Sequence, residues 1–273
     1  GAFSAGESME GLGHEDWYGE TGLTLNPQFF AMKTRRYMHD HGITDELLTL
    51  TAMKAFRNGA LNPDAWRRKA MSFDEINQSS TVCSPLKKYH FCSPSEGAAA
   101  AILCRADIAH RYTSTPIYLR ATEFRTRRYG SFDVQSPSFG ARNTPSPSTD
   151  AAKAAFEAAG IGPEDIDVMQ LQDTEAGHEI MHLAECGFCK DGEQEKLIRE
   201  GETEINGRLP VNTDGGLLAN GEPVGASGLR QVREIVLQLR GQAGDRQIRR
   251  PIKTGFTHVY GFPGLSCVTI LSK

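Results

Sequence analysis

The chain has 273 residues, of which 39% are hydrophobic and 23% charged, proportions ordinary for a soluble globular protein and ample for a core. A formal charge of −4 argues against nucleic acid or an anionic membrane surface as the main partner, and no apolar run approaches the roughly 20 residues that span a bilayer. The N-terminus lacks the basic and apolar regions of a signal peptide, and six scattered cysteines suit a reducing cytoplasm.

In chain order, helical periodicity covers residues 27–57, and Pro63, Asp64 and the polar stretch 74–80 break it. Residues 98–104, Ala-Ala-Ala-Ala-Ile-Leu-Cys, read as a short buried strand, and 116–123 as another. The Ser- and Pro-rich stretch 136–148 predicts a loop, followed by a helix over 150–159 that Gly160 stops. Strands and helices then alternate. A strand is predicted at 166–171 and a helix at 177–184, and residues 209–212 lead into a glycine-rich loop. A helix at 229–239, with Leu229, Val232, Val236 and Leu239 at helical spacing, precedes closing strands at 253–259 and 265–271. Such alternation predicts an α/β layered domain with a covered central sheet.

The most informative stretch is 211–228, Val-Asn-Thr-Asp-Gly-Gly-Leu-Leu-Ala-Asn-Gly-Glu-Pro-Val-Gly-Ala-Ser-Gly. Its glycines permit positive φ and close backbone approach, as a ligand-facing loop or a plain turn before a packed helix would need. Gly225, Ala226, Ser227 and Gly228 open that helix, where free amides and the positive dipole end suit an anionic or carbonyl oxygen.

This stretch resembles the thiolase loop N-x-x-G-G-x-x-x-x-G-H-P-x-G-A-x-G, as found also in sterol-carrier-type relatives. Asn212, Gly215, Gly216, Gly221, Pro223, Gly225, Ala226 and Gly228 fall on the pattern, and Glu222 stands where the family has its catalytic histidine. Residues 165–173 resemble the strand that ends in the family's His-Asp-Cys-Phe motif, with Gln172 at the histidine, Asp173 at the aspartate and Thr174 at the cysteine. Gly187-Phe188-Cys189, Gly192, Gly201, residues 238–241 and 257–261, and the Gly-Ala-Ala-Ala run at 97–100 extend the likeness. The resemblance implies an α/β thiolase-like layered fold, helices packed on a mixed central sheet. It divides the chain into residues 1–105, a helical loop region with the last strand of the first thiolase half, and 106–273, a C-terminal thiolase-like domain. The segment with the nucleophilic cysteine would then precede Gly1 in a longer protein, or come from another chain.

Thiolase chemistry uses a thiolate, a histidine and a second cysteine as acid/base. Glu222 and Thr174 occupy two of those positions, and the Cys-x-Gly turn of other thiolases reads Val259-Tyr260-Gly261, so condensation and thiolysis are disfavoured. A carboxylate with a raised pKa and a tyrosine hydroxyl suit a different reaction, retro-aldol cleavage of a β-hydroxyacyl-CoA. Thiolase-like lipid-transfer proteins of actinobacterial steroid degradation, which the chain resembles in lacking cysteine and histidine there, are aldolases of this kind with catalytic tyrosines. They work with a partner carrying a zinc-ribbon and OB-fold domain. The resemblance thus implies Tyr260, Glu222, His258, Gln172 and Asp173 as catalytic residues, and Gly225, Ala226, Ser227, Gly261 and Asn212 as acyl-CoA-binding residues. It implies no cofactor beyond the CoA of the substrate, a homodimer, and a possible zinc-ribbon/OB-fold partner. Two rivals stay open: an acyltransferase completed by the absent half, and an inert lipid- or acyl-CoA-binding subunit.

Other motifs carry less. His178-Glu179-Ile180-Met181-His182 fits H-E-x-x-H, with Glu175 or Glu185 imaginable as a third zinc ligand, yet the matching family helix binds no metal and none is expected. Cys186 and Cys189 form a lone C-x-x-C, and Cys83 and Cys92 flank a basic stretch. Arg125, Arg127 and Arg128, or Arg35 and Arg36, suit either a CoA phosphate or a solvated basic face.

Overall fold

Gly42, at φ +71°, divides the long helical stretch of residues 27–57 into two helices, α1 (Asn26–His41) and α2 (Asp45–Ala60). The computed structural model describes residues 26–128, 145–261 and 264–273. Asp45 and Glu46 in the first turn of α2 and Arg57 in its last complement the helix dipole. Its buried face, with Leu47, Leu48, Ala52, Ala55 and Phe56, packs on helices of the second half of the chain. Each such large side chain contributes about 1.5–3 kcal/mol on burial.

The polar stretch at 74–80 holds a short helix rather than a plain break, α3 (Phe73–Asn77). Ser72 and Glu75 form a reciprocal capping box there, an S-x-x-E signal that outweighs the stretch's polarity. A small hairpin follows, β1 (Thr81–Cys83) with β2 (Leu86–Lys87). The strand expected at 98–104 is not formed. None of these residues pairs in a ladder, Ile102 is fully exposed and Leu103 is 76% exposed. A strand exists only where a neighbour satisfies its backbone groups, and no described strand lies beside this segment.

The remaining strands fall close to their predicted places. β3 (Tyr118–Thr126) precedes α4 (Pro147–Ala159), which starts three residues early because Ser146 caps the Thr149 amide and Pro147 suits the first turn. Gly160 ends it at φ +68°. Residues 136–144 of the expected loop lie outside the described residues. Then come β4 (Val168–Gln170), α5 (Ala176–Glu185), α6 (Gln194–Arg199), α7 (Gly216–Asn220) and α8 (Ser227–Arg240), and finally β5 (Thr254–Gly261) and β6 (Leu265–Ser272).

The sheet has the order β3-β6-β5-β4, antiparallel except for the parallel pair β4/β5. Successive residues point to opposite faces, so Phe256, Val268 and Ile270 join the large core with α4 while Val168 and Leu271 pack under α8. Gly255 lets α8 come close, since a Cβ there would lie 2.2 Å from Ile235 Cγ2. The buried face of α8 is partly polar: Glu234 accepts from Thr213 Oγ1 at 2.8 Å and pairs with Arg246 at 2.9 Å, while Val232 and Val236 pack only partly buried beside it. The large core runs from Phe29 in α1 to Ile270 in β6, so the N-terminal helices and the sheet share one interior. Among the described residues no helix is long and apolar enough to cross a membrane. The result is a mixed α/β fold of helices packed on a mixed sheet.

Candidate active site

The glycine loop is shaped from beneath by Asn212, which takes φ +52°, a conformation asparagine tolerates better than most residues. Its Nδ2 donates to Glu179 Oε2 at 2.8 Å, its Oδ1 accepts from the Leu171 amide at 2.9 Å, and its carbonyl accepts from Asn58 Nδ2 at 3.1 Å. With both ends of its amide committed and no exposed surface, Asn212 holds the loop to the end of β4. Asp173 is equally internal. Its carboxylate accepts from the amides of Leu217 at 2.6 Å and Leu218 at 3.4 Å, capping α7, and burial beside Glu179 pushes its pKa well above the usual carboxylate range. Gly216 is obligatory opposite it, since a Cβ there would lie 2.0 Å from Asp173 Oδ2.

Glu222 follows Gly221 at the rim of this framework and is half-buried. Its amide donates to Ser93 O at 2.8 Å, so the 91–95 segment forms one wall of the site. Gln172 Nε2 donates to Glu222 Oε2 at 3.0 Å, and the Ser227 hydroxyl donates to Oε1. Burial raises the Glu222 pKa, against the opposing pull of Ser227, Arg230 and Gln172. The carboxylate thus gains affinity for a proton from burial while the donors limit that gain, the condition of a general base.

Gly225, Ala226 and Ser227 do form the entry to α8, through a single 3-10 turn. Gly225 faces open space, whereas Ser227 is buried and spends its hydroxyl on Glu222.

Tyr260, near the end of β5, is 8% exposed. Its ring lies 5.5 Å from that of His178 and 5.7 Å from that of His182, and burial raises its pKa. No hydrogen bond reaches its hydroxyl among the described residues. His258 is fully buried, with Nε2 2.9 Å from Ser148 Oγ and its ring 4.3 Å from that of His182. Gly261 ends β5 beside Leu265.

His182 Nδ1 donates to the Gln172 carbonyl at 3.0 Å, which fixes its neutral tautomer and leaves Nε2 without a proton, 3.5 Å from Glu185 Oε2. A connected path thus runs from Glu222 through Gln172 to His182, against which both Tyr260 and His258 pack. The fold thus links Glu222 to Gln172 and packs Tyr260 and His258 on the His182 ring, while Asp173 and Asn212 brace α7 and the loop from within.

The H-E-x-x-H histidines do share a helix face, their rings stacked at 5.0 Å, but Glu179 is bound to Lys54 and Asn212. Glu175 caps α5 by accepting from the Gly177 amide. Among the described residues no group of three or more His, Cys, Asp and Glu side chains is disposed to hold a metal ion. All six cysteines are free. Arg36 pairs with Asp40, Arg125 with Glu123 and Arg128 with Asp150. An open hollow of about 750 Å³ lies between α4 and α5, lined by Phe156, Ile161 and Pro163, away from Glu222. Neither Lys33, which stands over the Tyr260 ring, nor Lys54 was legible in the sequence, because a single lysine within a helix is ordinarily solvated.

Comparison with known proteins agrees with this architecture. The family described as thiolase C-terminal domain-like matches residues 135–273. The chain is 35% identical over 261 residues to the acetyl-CoA acetyltransferase of Methanothermobacter thermautotrophicus, covering 95% of this chain and 66% of that protein. It is 31% identical over 259 residues to sterol carrier protein 2 of Oryctolagus cuniculus, covering 93% of this chain and 46% of that protein. The chain thus spans two thirds or less of the length of these relatives. The solved Ltp2-ChsH2(DUF35) aldolase superposes with a TM-score of 0.78 over 90% of this chain and 63% of its own at 23% identity, a likeness of fold.

Proposed function

Since the chain belongs to the thiolase family, we propose that it acts on acyl-CoA thioesters by retro-aldol cleavage of a 3-hydroxyacyl-CoA with a steroid or branched side chain. One observation carries this reading: a carboxylate, Glu222, stands where the family motif has histidine, bonded by Gln172 and Ser227, and the Gln172 carbonyl leads on to His182, on which the buried Tyr260 packs. In the proposed step Glu222 takes the proton of the β-hydroxyl and the β-carbon oxygen becomes a ketone. The bond between the α- and β-carbons breaks, its electron pair forms the thioester enolate, and the Tyr260 hydroxyl protonates that enolate at carbon. Glu222 and Tyr260 then exchange their protons with water to complete the cycle. The Gly225 amide, in the open at the entry to α8, would face the developing enolate oxygen. Gly261 would line the acyl-CoA seat, while buried Asn212 and Ser227 act from beneath by fixing the loop and Glu222, with CoA present only as part of the substrate.

The fold neighbour is an aldolase of Ltp2 and ChsH2(DUF35), which supports a partner subunit for this chain; a zinc-ribbon/OB-fold partner and a homodimer complete the proposal. A second reading, acyl transfer, draws on the 35% identity to an acetyl-CoA acetyltransferase and would take its nucleophile from a portion of the protein outside this chain.

The test is turnover of a 3-hydroxyacyl-CoA with a tertiary β-carbon by the full protein, with and without a zinc-ribbon partner. Release of a ketone and a shortened acyl-CoA, abolished by Glu222→Gln and by Tyr260→Phe, is the expected result. Cleavage only of a 3-oxoacyl-CoA, and only with free CoA, would replace this reading with the acyltransferase. Binding of acyl-CoA without turnover of either substrate would leave a carrier.

A further inference from the structure

Lys33 reaches from α1 towards the end of β5. Its Nζ lies 5.1 Å from the centroid of the Tyr260 ring and 3.8 Å from Glu185 Oε1 on α5. The side chain is 23% exposed, so most of it is packed against its neighbours. Burial works against that charge, but Glu185, Tyr260 and Glu175 outweigh it and hold the ammonium above the usual lysine value.

The groups around Tyr260 differ in what they can do for a phenol oxygen. From α5, His178 and His182 face the ring, and His258 lies beside them on β5. All three are kept neutral by burial, His182 being pushed down to about 3. They bring polar surface but no positive charge. Glu185 opposes ionisation of the phenol, and Arg127, just after β3, favours it more weakly than Lys33 does. Glu175, ahead of α5, is pushed up to about 8 by burial. Lys33 is thus the foremost cation acting on Tyr260, and it is supplied by a helix that the functional motifs do not include.

We infer that Lys33 is a positioning residue for Tyr260, placed to offset the negative charge that the phenol oxygen carries once its proton has passed to the substrate enolate. The inference rests on the reading of Tyr260 as a proton donor. No hydrogen bond to the hydroxyl competes with this role among the described residues. Without Lys33 the tyrosinate would stand in a buried site beside Glu185 alone on that side, and its formation would be slowed rather than substrate binding weakened.

The experiment places a fluorinated tyrosine at position 260 of the full protein and follows its ionisation by fluorine NMR, beside kinetics of the unlabelled variants. Lys33→Met is expected to move the ionisation upward by about one pH unit, a tenfold loss of tyrosinate at a given pH, for a charge at this distance in a partly screened site. Lys33→Arg should restore most of it. In turnover, Lys33→Met should lower kcat about tenfold with KM little changed, and Lys33→Arg should recover kcat. Lys33→Gln serves as a second neutral variant should the methionine disturb the fold. Identical ionisation of position 260 in wild type, Lys33→Met and Lys33→Gln overturns the inference, whatever the kinetics. Full turnover by Tyr260→Phe would instead remove the proton-donor reading, and the NMR shift would still report whether the charge of Lys33 reaches the ring.

Discussion

Gln172 and Glu222, fifty residues apart in sequence, are joined by a hydrogen bond of 3.0 Å from the Gln172 amide to the Glu222 carboxylate. Both stand at positions where the thiolase motifs have histidine, and here they bind each other. A carboxylate offers only acceptors, so the nitrogen end of the Gln172 amide faces Glu222 and helps fix its orientation.

Glu222→Gln preserves the size of the side chain and removes the base. It is expected to lower kcat by about 10²–10⁴-fold with KM little affected, as loss of general-base catalysis does. Because burial raises the Glu222 pKa, the acid limb of the wild-type rate profile should lie above the ordinary glutamate value of about 4.3, with activity rising as pH increases through it. A pH–rate profile of both proteins checks this.

Lys54 and Glu179 form an ion pair with 2% and 0% of their side chains exposed. Lys54→Met leaves Glu179 buried with only Asn212 as partner, and should cost about 3–5 kcal/mol of stability in denaturant unfolding. Replacing both residues by apolar ones of similar size should recover much of that loss. A zinc role for Glu179 would instead make chelator treatment mimic the single variant.

The buried histidines make the fold acid-sensitive. Their folded pKa values are depressed, so the native state binds fewer protons than the unfolded chain. Their contribution is full above about 6.5 and is lost as pH falls towards the His182 value of about 3. Glu175 has the opposite sign. Its folded pKa of about 8 exceeds the reference 4.5, so its contribution is full below that reference and is lost as pH rises through 8. Thermal midpoints should fall at both ends, with His182→Gln flattening the acid side and Glu175→Gln the alkaline side.

Gly59 marks the close crossing of α2 and α7. A Cβ there would lie 2.4 Å from Ala219 Cβ and 2.9 Å from the Arg67 carbonyl oxygen, neither of which is a flexible side-chain end. Gly59→Ala should destabilise the protein by about 1–3 kcal/mol, and displacement of α7 would carry Glu222 with it. Denaturant midpoints measure the first effect, and a raised KM for acyl-CoA would report the second.

Much of this molecule is local in origin. Period-two and helical patterns, with Gly160 and Gly241 as stops, place β3 to β6 and α4, α5 and α8 within a few residues, because each rule acts over one turn or one pleat. The glycine loop and its Glu222 are legible for the same reason: the backbone demands of a tight loop are written in adjacent residues. What the sequence could not decide is pairing at a distance. Residues 98–104 have the composition of a strand, yet a strand needs a neighbour that the described chain does not offer it. Asp173 and Asn212 lie in functional motifs, and only the fold turns them inward as supports for α7 and the loop. Likewise, nothing near position 33 predicts that its ammonium will stand over Tyr260, because that distance is decided by how α1 packs against α5 and β5.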